Sequence, residues 1–310
     1  MSKYINAVLV TLYVVLTIFG ALLVLVIAGV KISDRTAWLI MMGWVVLCFS
    51  SAYLFTGVSL FFGARLRKPM QMEEEKLDMA FRSVQQRAGY KKKVKLRIQE
   101  STDWNAFATG TRTIAITKGL LAGVTDDELK GLLAHELGHL VSYDTIVGSA
   151  FGMAGYLPSI VRWVYRRIAA IVMGGFRKSV LVRTNQGVMK ASRFNPLSGI
   201  IWLLIVVAIF YFLHILQAII AIVLFVVIFG ILNVIFRWLT LVLARFSEYR
   251  QDAFAARLGF GKGLRDTLEK LTYQGVPAVN LYFIVFHSTH PVIYNRIRRL
   301  EKMEAATYVH

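Results

Sequence analysis

Two long apolar runs open the chain, Tyr4 to Val30 and Ala37 to Phe62, separated only by the polar link Lys31 to Thr36. Each is long enough to cross a hydrocarbon core of about 30 Å, so the pair predicts a transmembrane hairpin. A cleaved leader competes for the first run, but its apolar region would be shorter, and here a second run follows. Trp38 sits where an interfacial anchor belongs, and Arg65, Arg67 and Lys68 close the exit. The positive-inside tendency puts that exit, and with it the amino terminus, in the cytoplasm.

The pattern then changes period. Leu77, Ala80, Phe81, Val84 and Ala88 recur on one side of a predicted helix over 72–88. Glu73, Glu74 and Glu75 stand in its first turn, where the helix dipole favours them, and Gly89 ends it. Val94, Leu96 and Ile98 alternate as a strand does, and residues 105–110 followed by Thr113 to Thr117 predict a hairpin turning near Gly110. Thr125 with Glu128 three residues later is a capping box, and Leu129, Leu132, Leu133 and Leu140 continue at helical spacing.

Apolar runs return after that helix. Thr145 to Val161 is rich in Gly and Ala, contains Pro158 and runs into Arg162, Arg166 and Arg167. Ile200 to Phe236 is interrupted only by His214, Gln217, Gly230 and Asn233. As one straight helix it would be about 55 Å long, more than one crossing needs, whereas two halves of about 18 residues each fit. A second transmembrane hairpin turning near His214 to Ala218 is therefore expected, with Thr145 to Val161 an interfacial or re-entrant helix. The alternative makes Thr145 to about Ala170 one crossing and Ile200 to Trp238 another, long and tilted, and puts a strongly basic loop outside.

Composition agrees with a membrane protein: 56% of the 310 residues are hydrophobic and 17% charged, and the mean hydropathy is +0.57, beyond the range of ordinary soluble globules. The net charge of +18 is unevenly spread, with no acidic residue between Asp144 and Glu248. The basic residues of that stretch border apolar runs, which suits anionic lipid headgroups. No nucleic-acid recognition module accompanies them, so nucleic acid is not an expected partner. Cys48 is the sole cysteine, which excludes an internal disulfide and a cysteine metal site and points weakly to a reducing compartment.

Candidate chemistry lies in His135-Glu-Leu-Gly-His139 on the capped helix. Two histidines four apart project from one helical face and can grip one divalent ion. Glu136 lies beside that face, where a carboxylate can take a proton from water acidified by the ion and later pass it to a leaving amine. The plain alternative is a helix with two surface histidines. A third ligand must come from elsewhere, and Glu248 and Asp252, four apart on another predicted helix, offer one carboxylate for the ion and one to orient a ligating imidazole. By themselves they could equally form an ordinary solvated face beside Arg245 and Arg250. If Glu248 reaches the same ion, the chain crosses the membrane an even number of times between 139 and 248, as the second hairpin provides.

Together with Ser288-Thr-His-Pro291, these motifs make the chain resemble the HtpX family of membrane-embedded zinc metallopeptidases over nearly its whole length. The resemblance implies a mainly α membrane protein. It would have about four transmembrane helices and an α+β, zincin-like catalytic domain with a small β-sheet. The organisation would be a hairpin over 1–66, catalytic segments over 67–145 and 241–310, and a membrane insert over 146–240. It makes His135, His139 and Glu248 the ligands of one Zn2+, Glu136 the general base, and Asp252 the residue that orients a ligand. It makes His290, with His287 as an alternative, a donor to the developing oxyanion, supported by Arg296. The strand from Asn105 through Ala106, Phe107 and Ala108 would hold an extended substrate by edge pairing, unless the sheet is purely structural. The implied activity is an endopeptidase at the cytoplasmic face of the bacterial inner membrane, acting on membrane-protein and unfolded polypeptide substrates in quality control and stress response. Two other readings stay open: an inactive zinc-containing scaffold or holdase, and a protease for prenylated carboxyl termini.

Overall fold

The apolar positions that alternate along residues 94–117 become strands, and those at helical spacing on either side become helices packed on them. The structure is a computed structural model describing residues 2–27, 31–62, 66–156, 163, 166–167, 197–273 and 291–307. In chain order its elements are α1 (Ser2–Ile27), α2 (Asp34–Phe62), β1 (Leu66–Arg67), α3 (Gln71–Arg87) and β2 (Lys95–Gln99). There follow β3 (Ala106–Thr109), β4 (Thr113–Thr117), α4 (Lys118–Gly123), α5 (Asp126–Val141), α6 (Leu197–Arg257), α7 (Gly261–Tyr273) and α8 (Ile293–Thr307). A further helical stretch occupies 144–156. The chain divides into two units, Met1–Val14 with Gly43–Met153 and Ile235–His310, and Val15–Met42 with Ala154–Val234.

The first unit holds the sheet, in the order β1-β2-β4-β3. β2 and β4 are parallel, while β1 on β2 and β3 on β4 are antiparallel. The predicted hairpin is the β3–β4 pair, with Ala106 opposite Ile116 and Thr109 opposite Thr113. β3 is an edge strand: among the described residues nothing pairs with its outer side. Ile98, Ile114 and Ile116 are fully buried with Leu77 and Val84 of α3, Leu129, Leu133 and Leu137 of α5, Leu264 of α7 and Leu300 of α8. This core fixes α5 between the sheet and α7.

The capping box forms as expected. Thr125 Oγ1 accepts from the Glu128 amide, and the Glu128 carboxylate accepts from the Thr125 amide at 2.7 Å. Two glycines set how closely α5 is approached. A Cβ on Gly131 would lie 2.2 Å from the Leu264 amide nitrogen, so α5 and α7 touch backbone to backbone. A Cβ on Gly138 would lie 2.4 Å from Gln251 Oε1, so the close seat of the Gln251 side chain against α5 depends on the missing side chain at that position.

The second unit is helical in its described parts apart from the link 31–33. The apolar side chains of α6 from Leu204 to Leu216 point outward, with Val206 57%, Phe210 61% and Tyr211 66% exposed, as a lipid-facing surface requires. Here the structure corrects the sequence reading. No turn occurs near His214 to Ala218: α6 runs unbroken for 61 residues, about 92 Å at 1.5 Å per residue. Isolated His and Gln residues are compatible with a helix, and the run contains no proline to end it. Of the four expected membrane helices, two stretches among the described residues are long and apolar enough to cross, Asn6–Leu23 and Gly230–Arg257, with Leu204–Leu216 a shorter apolar piece.

Candidate metal centre

The capped start and leucine face of α5 bury one side of that helix, and the same rotation turns His135, Glu136 and His139 towards the carboxyl-terminal part of α6. There Glu248 and Asp252, one turn apart, are 5% and 0% exposed. One ligand atom from each of His135, His139 and Glu248 lies within 4.8 Å of the others. His135 Nε2 is 3.5 Å from one Glu248 oxygen and His139 Nε2 is 3.4 Å from the other. These separations are long for hydrogen bonds. They match two donors bound at about 2.0–2.1 Å to one tetrahedral ion, which stand about 3.3–3.4 Å apart. Two imidazole nitrogens and a carboxylate oxygen are a donor set suited to zinc and its neighbours, so the residues fit a metal.

Each imidazole presents Nε2 to the centre because its other nitrogen is engaged. His135 Nδ1 faces Asp252 at 3.0 Å, and His139 Nδ1 faces Asp144 at 3.3 Å. Asp252 thus stands on the side of His135 away from Glu248, within reach of its Nδ1. Burial disfavours a charged His139 ring, but Asp144 and Glu248 outweigh it and raise its pKa to about 10. Burial against Asp252 and Glu248 likewise resolves to a raised value for His135. The centre is thus built to hold positive charge, which a metal supplies when it displaces protons. Glu136 is buried between them, and its charge helps raise both His139 and Arg296.

Arg296 comes from α8 and stands behind the ligand set. Its Nε and Nη2 donate to the two oxygens of Asp252 at 2.9 and 2.6 Å, and its Nη1 lies 3.1 Å from Glu248. It thus meets the carboxylates behind and within the ligand set, and its Nη2 also lies 3.4 Å from His135 Nδ1. The reason is electrostatic: two buried carboxylates need a cation, and Arg296, 7% exposed, supplies one. His290 and His287 lie outside the described residues. Asn105 precedes the edge strand and its carbonyl accepts from the Thr117 amide at 2.9 Å, while Ala106, Phe107 and Ala108 lie in β3, which packs against α5.

Sequence reasoning missed Asp144. Ser142, Ser247, Arg250 and Gln251 all donate to its carboxylate. Five residues beyond His139, it lies at a spacing that on a continuous helix faces away from that histidine. Its only mark in the sequence is that the next acidic residue is Glu248.

A helix lending two imidazoles and a second helix lending a carboxylate, with a further carboxylate beside them, is the arrangement of a metalloprotease. Comparison with known proteins agrees: the family described as Peptidase family M48 matches residues 71–304, and the chain belongs to that family. It is 29% identical over 260 residues to a protein named Protease HtpX from Pectobacterium carotovorum, covering 81% of this chain and 77% of that one. A second Protease HtpX, from Yersinia enterocolitica, is 27% identical over 318 residues, with 96% and 97% covered. Among solved structures, Ste24p of S. mikatae matches with a TM-score of 0.52 at 19% identity. That likeness, one of fold, covers 91% of this chain, which spans 61% of the Ste24p chain.

Proposed function

We propose that this membrane metalloprotease is a zinc endopeptidase of the bacterial inner membrane, its catalytic part facing the cytoplasm. It would degrade misfolded or damaged membrane proteins and other unfolded polypeptides in quality control and stress response. The observation that carries the reading is the convergence of His135, His139 and Glu248, with both outer imidazole nitrogens engaged by carboxylates. When bound, the zinc ion supplies a Lewis acid that polarises the scissile carbonyl and acidifies water. Glu136 accepts the proton from that water and delivers it to the leaving amine. His290 donates to the developing oxyanion from just ahead of α8.

The edge strand holds the substrate. Thr117 donates to the Asn105 carbonyl, so residues 105, 107 and 109 direct their backbone groups towards β4. Ala106 and Ala108 then offer theirs at the outer side, where an extended peptide can pair in a sequence-tolerant way. An unbroken α6 supplies one membrane crossing.

The test is zinc content and casein cleavage, side by side in detergent, for the wild type, Glu136→Gln and Glu248→Ala. We expect one zinc and cleavage in the wild type, and zinc with cleavage reduced about 100- to 10,000-fold in Glu136→Gln. Little of either is expected in Glu248→Ala. Undiminished cleavage by Glu136→Gln would sink the assignment of the base.

A further inference from the structure

Asp144 is placed by a feature that nothing in the reaction described so far requires. α5 ends at Val141, and the Ser142 amide closes it onto the Gly138 carbonyl. Tyr143 then takes a φ of +60°, the left-handed region that a tyrosine rarely adopts. In an uninterrupted helix residue 144 would stand about 140° around the axis from His139. The left-handed residue instead brings the Asp144 carboxylate back to 3.3 Å from His139 Nδ1. The next residue secures the far side of the turn, since Thr145 Oγ1 donates to the Gly110 carbonyl at 2.5 Å.

What holds the carboxylate comes mostly from α6. Ser247, one residue before Glu248, donates its hydroxyl to Asp144. Arg250 reaches both oxygens at 2.7 and 2.9 Å, and Gln251 donates at 2.8 Å and also to the Ser142 hydroxyl at 2.9 Å. One carboxylate therefore joins the end of the helix bearing both histidines to the turn bearing the third ligand. A carboxylate facing Nδ1 also requires the proton to sit there, which leaves Nε2 as the lone-pair donor.

We propose that Asp144 is a positioning residue of the metal centre. It fixes the His139 tautomer and orientation, and it sets the spacing between α5 and Glu248 through Ser247, Arg250 and Gln251. This rests on the reading of His139 and Glu248 as ligands, and the experiment separates the two claims. Full-length protein in detergent is titrated with zinc against a chromophoric chelator, and with cobalt while its visible absorption bands are followed. Asp144→Asn should bind zinc about 10- to 100-fold more weakly, with shifted cobalt bands. Ser247→Ala, which loosens the clamp but leaves the histidine contact, should lose up to about fivefold and provides the readout if Asp144→Asn does not fold. Lys130→Met, which removes a surface ion pair with Asp127 near the start of α5 and touches neither arm of the centre, should leave affinity and spectrum unchanged. Wild-type affinity and spectrum in both Asp144→Asn and Ser247→Ala, with metal lost in Glu248→Ala, would overturn the role of Asp144 alone. Metal kept in Glu248→Ala would overturn the centre itself.

Discussion

The two histidines are held by arms of different construction. Behind His135 stands Asp252, fully buried and clasped by the Nε and Nη2 of the Arg296 guanidinium, one donor to each oxygen. Behind His139 stands Asp144, whose side chain is 14% exposed and which is shared among hydroxyls, an amide and the partly exposed Arg250. The inner arm is one dry ion pair joining α6 to α8. The outer arm is a set of smaller contacts between a turn and one face of α6. A buried pair that loses a partner leaves a whole charge without compensation, whereas a distributed set loses one contact at a time. The centre thus combines an anchor that fails abruptly with one that fails by degrees.

Arg296→Met should give the largest effect, since it leaves Asp252 and Glu248 buried together without their guanidinium. We expect about 3–5 kcal/mol of lost stability by denaturant unfolding in detergent. An unchanged midpoint would mean that the inner arm is no different in kind from the outer.

Gly138→Ala should come next. Its Cβ meets the movable end of Gln251, which must swing away and give up its bond to Asp144. A cost of about 1–3 kcal/mol is expected, accompanied by weaker zinc binding. The same stability loss without any change in zinc affinity would show that Gln251 is no part of the outer arm.

The smallest effect belongs to a pair in neither arm, Arg67 with Glu73, whose side chains are 23% and 18% exposed. Hydrogen bonds from Arg67 hold the Glu73 pKa down at about 2. Because the folded value lies below the unfolded one of about 4.3, the pair's contribution is present above that pH and is lost as pH falls towards the folded value. Glu73→Gln should therefore cost about 1 kcal/mol or less near neutrality, and the gap to wild type should close towards pH 2. A gap that stays constant with pH would show that the loss at Glu73 is one of packing.

Much of the fold was legible because it is local. The Thr125–Glu128 capping box, the leucine spacing of α5, the Gly110 turn and the apolar side of α3 each depend on residues within a few positions of one another. His135, Glu136 and His139 were legible for the same reason, since helical spacing alone puts two imidazoles on one face. Glu248 was inferred only because a third ligand was missing and one carboxylate pair was available. The length of α6 was misread because hydropathy measures preference for lipid, and nothing in His214 or Gln217 states whether a helix continues. Asp144 was missed because a single left-handed residue undoes the helical phase on which spacing arguments rest.

The sequence by itself determined which helix offers the metal two nitrogens, that a carboxylate stands beside them, and that long apolar segments accompany the catalytic part. Only the tertiary structure decided which carboxylate faces which imidazole, that Arg296 serves Asp252 and Glu248, and that Asp144 returns to His139. Apolar periodicity records where water is excluded along one element. The pairing of buried charges depends on what other elements bring into the same dry space, and that is settled by contacts between residues as far apart as 135 and 296.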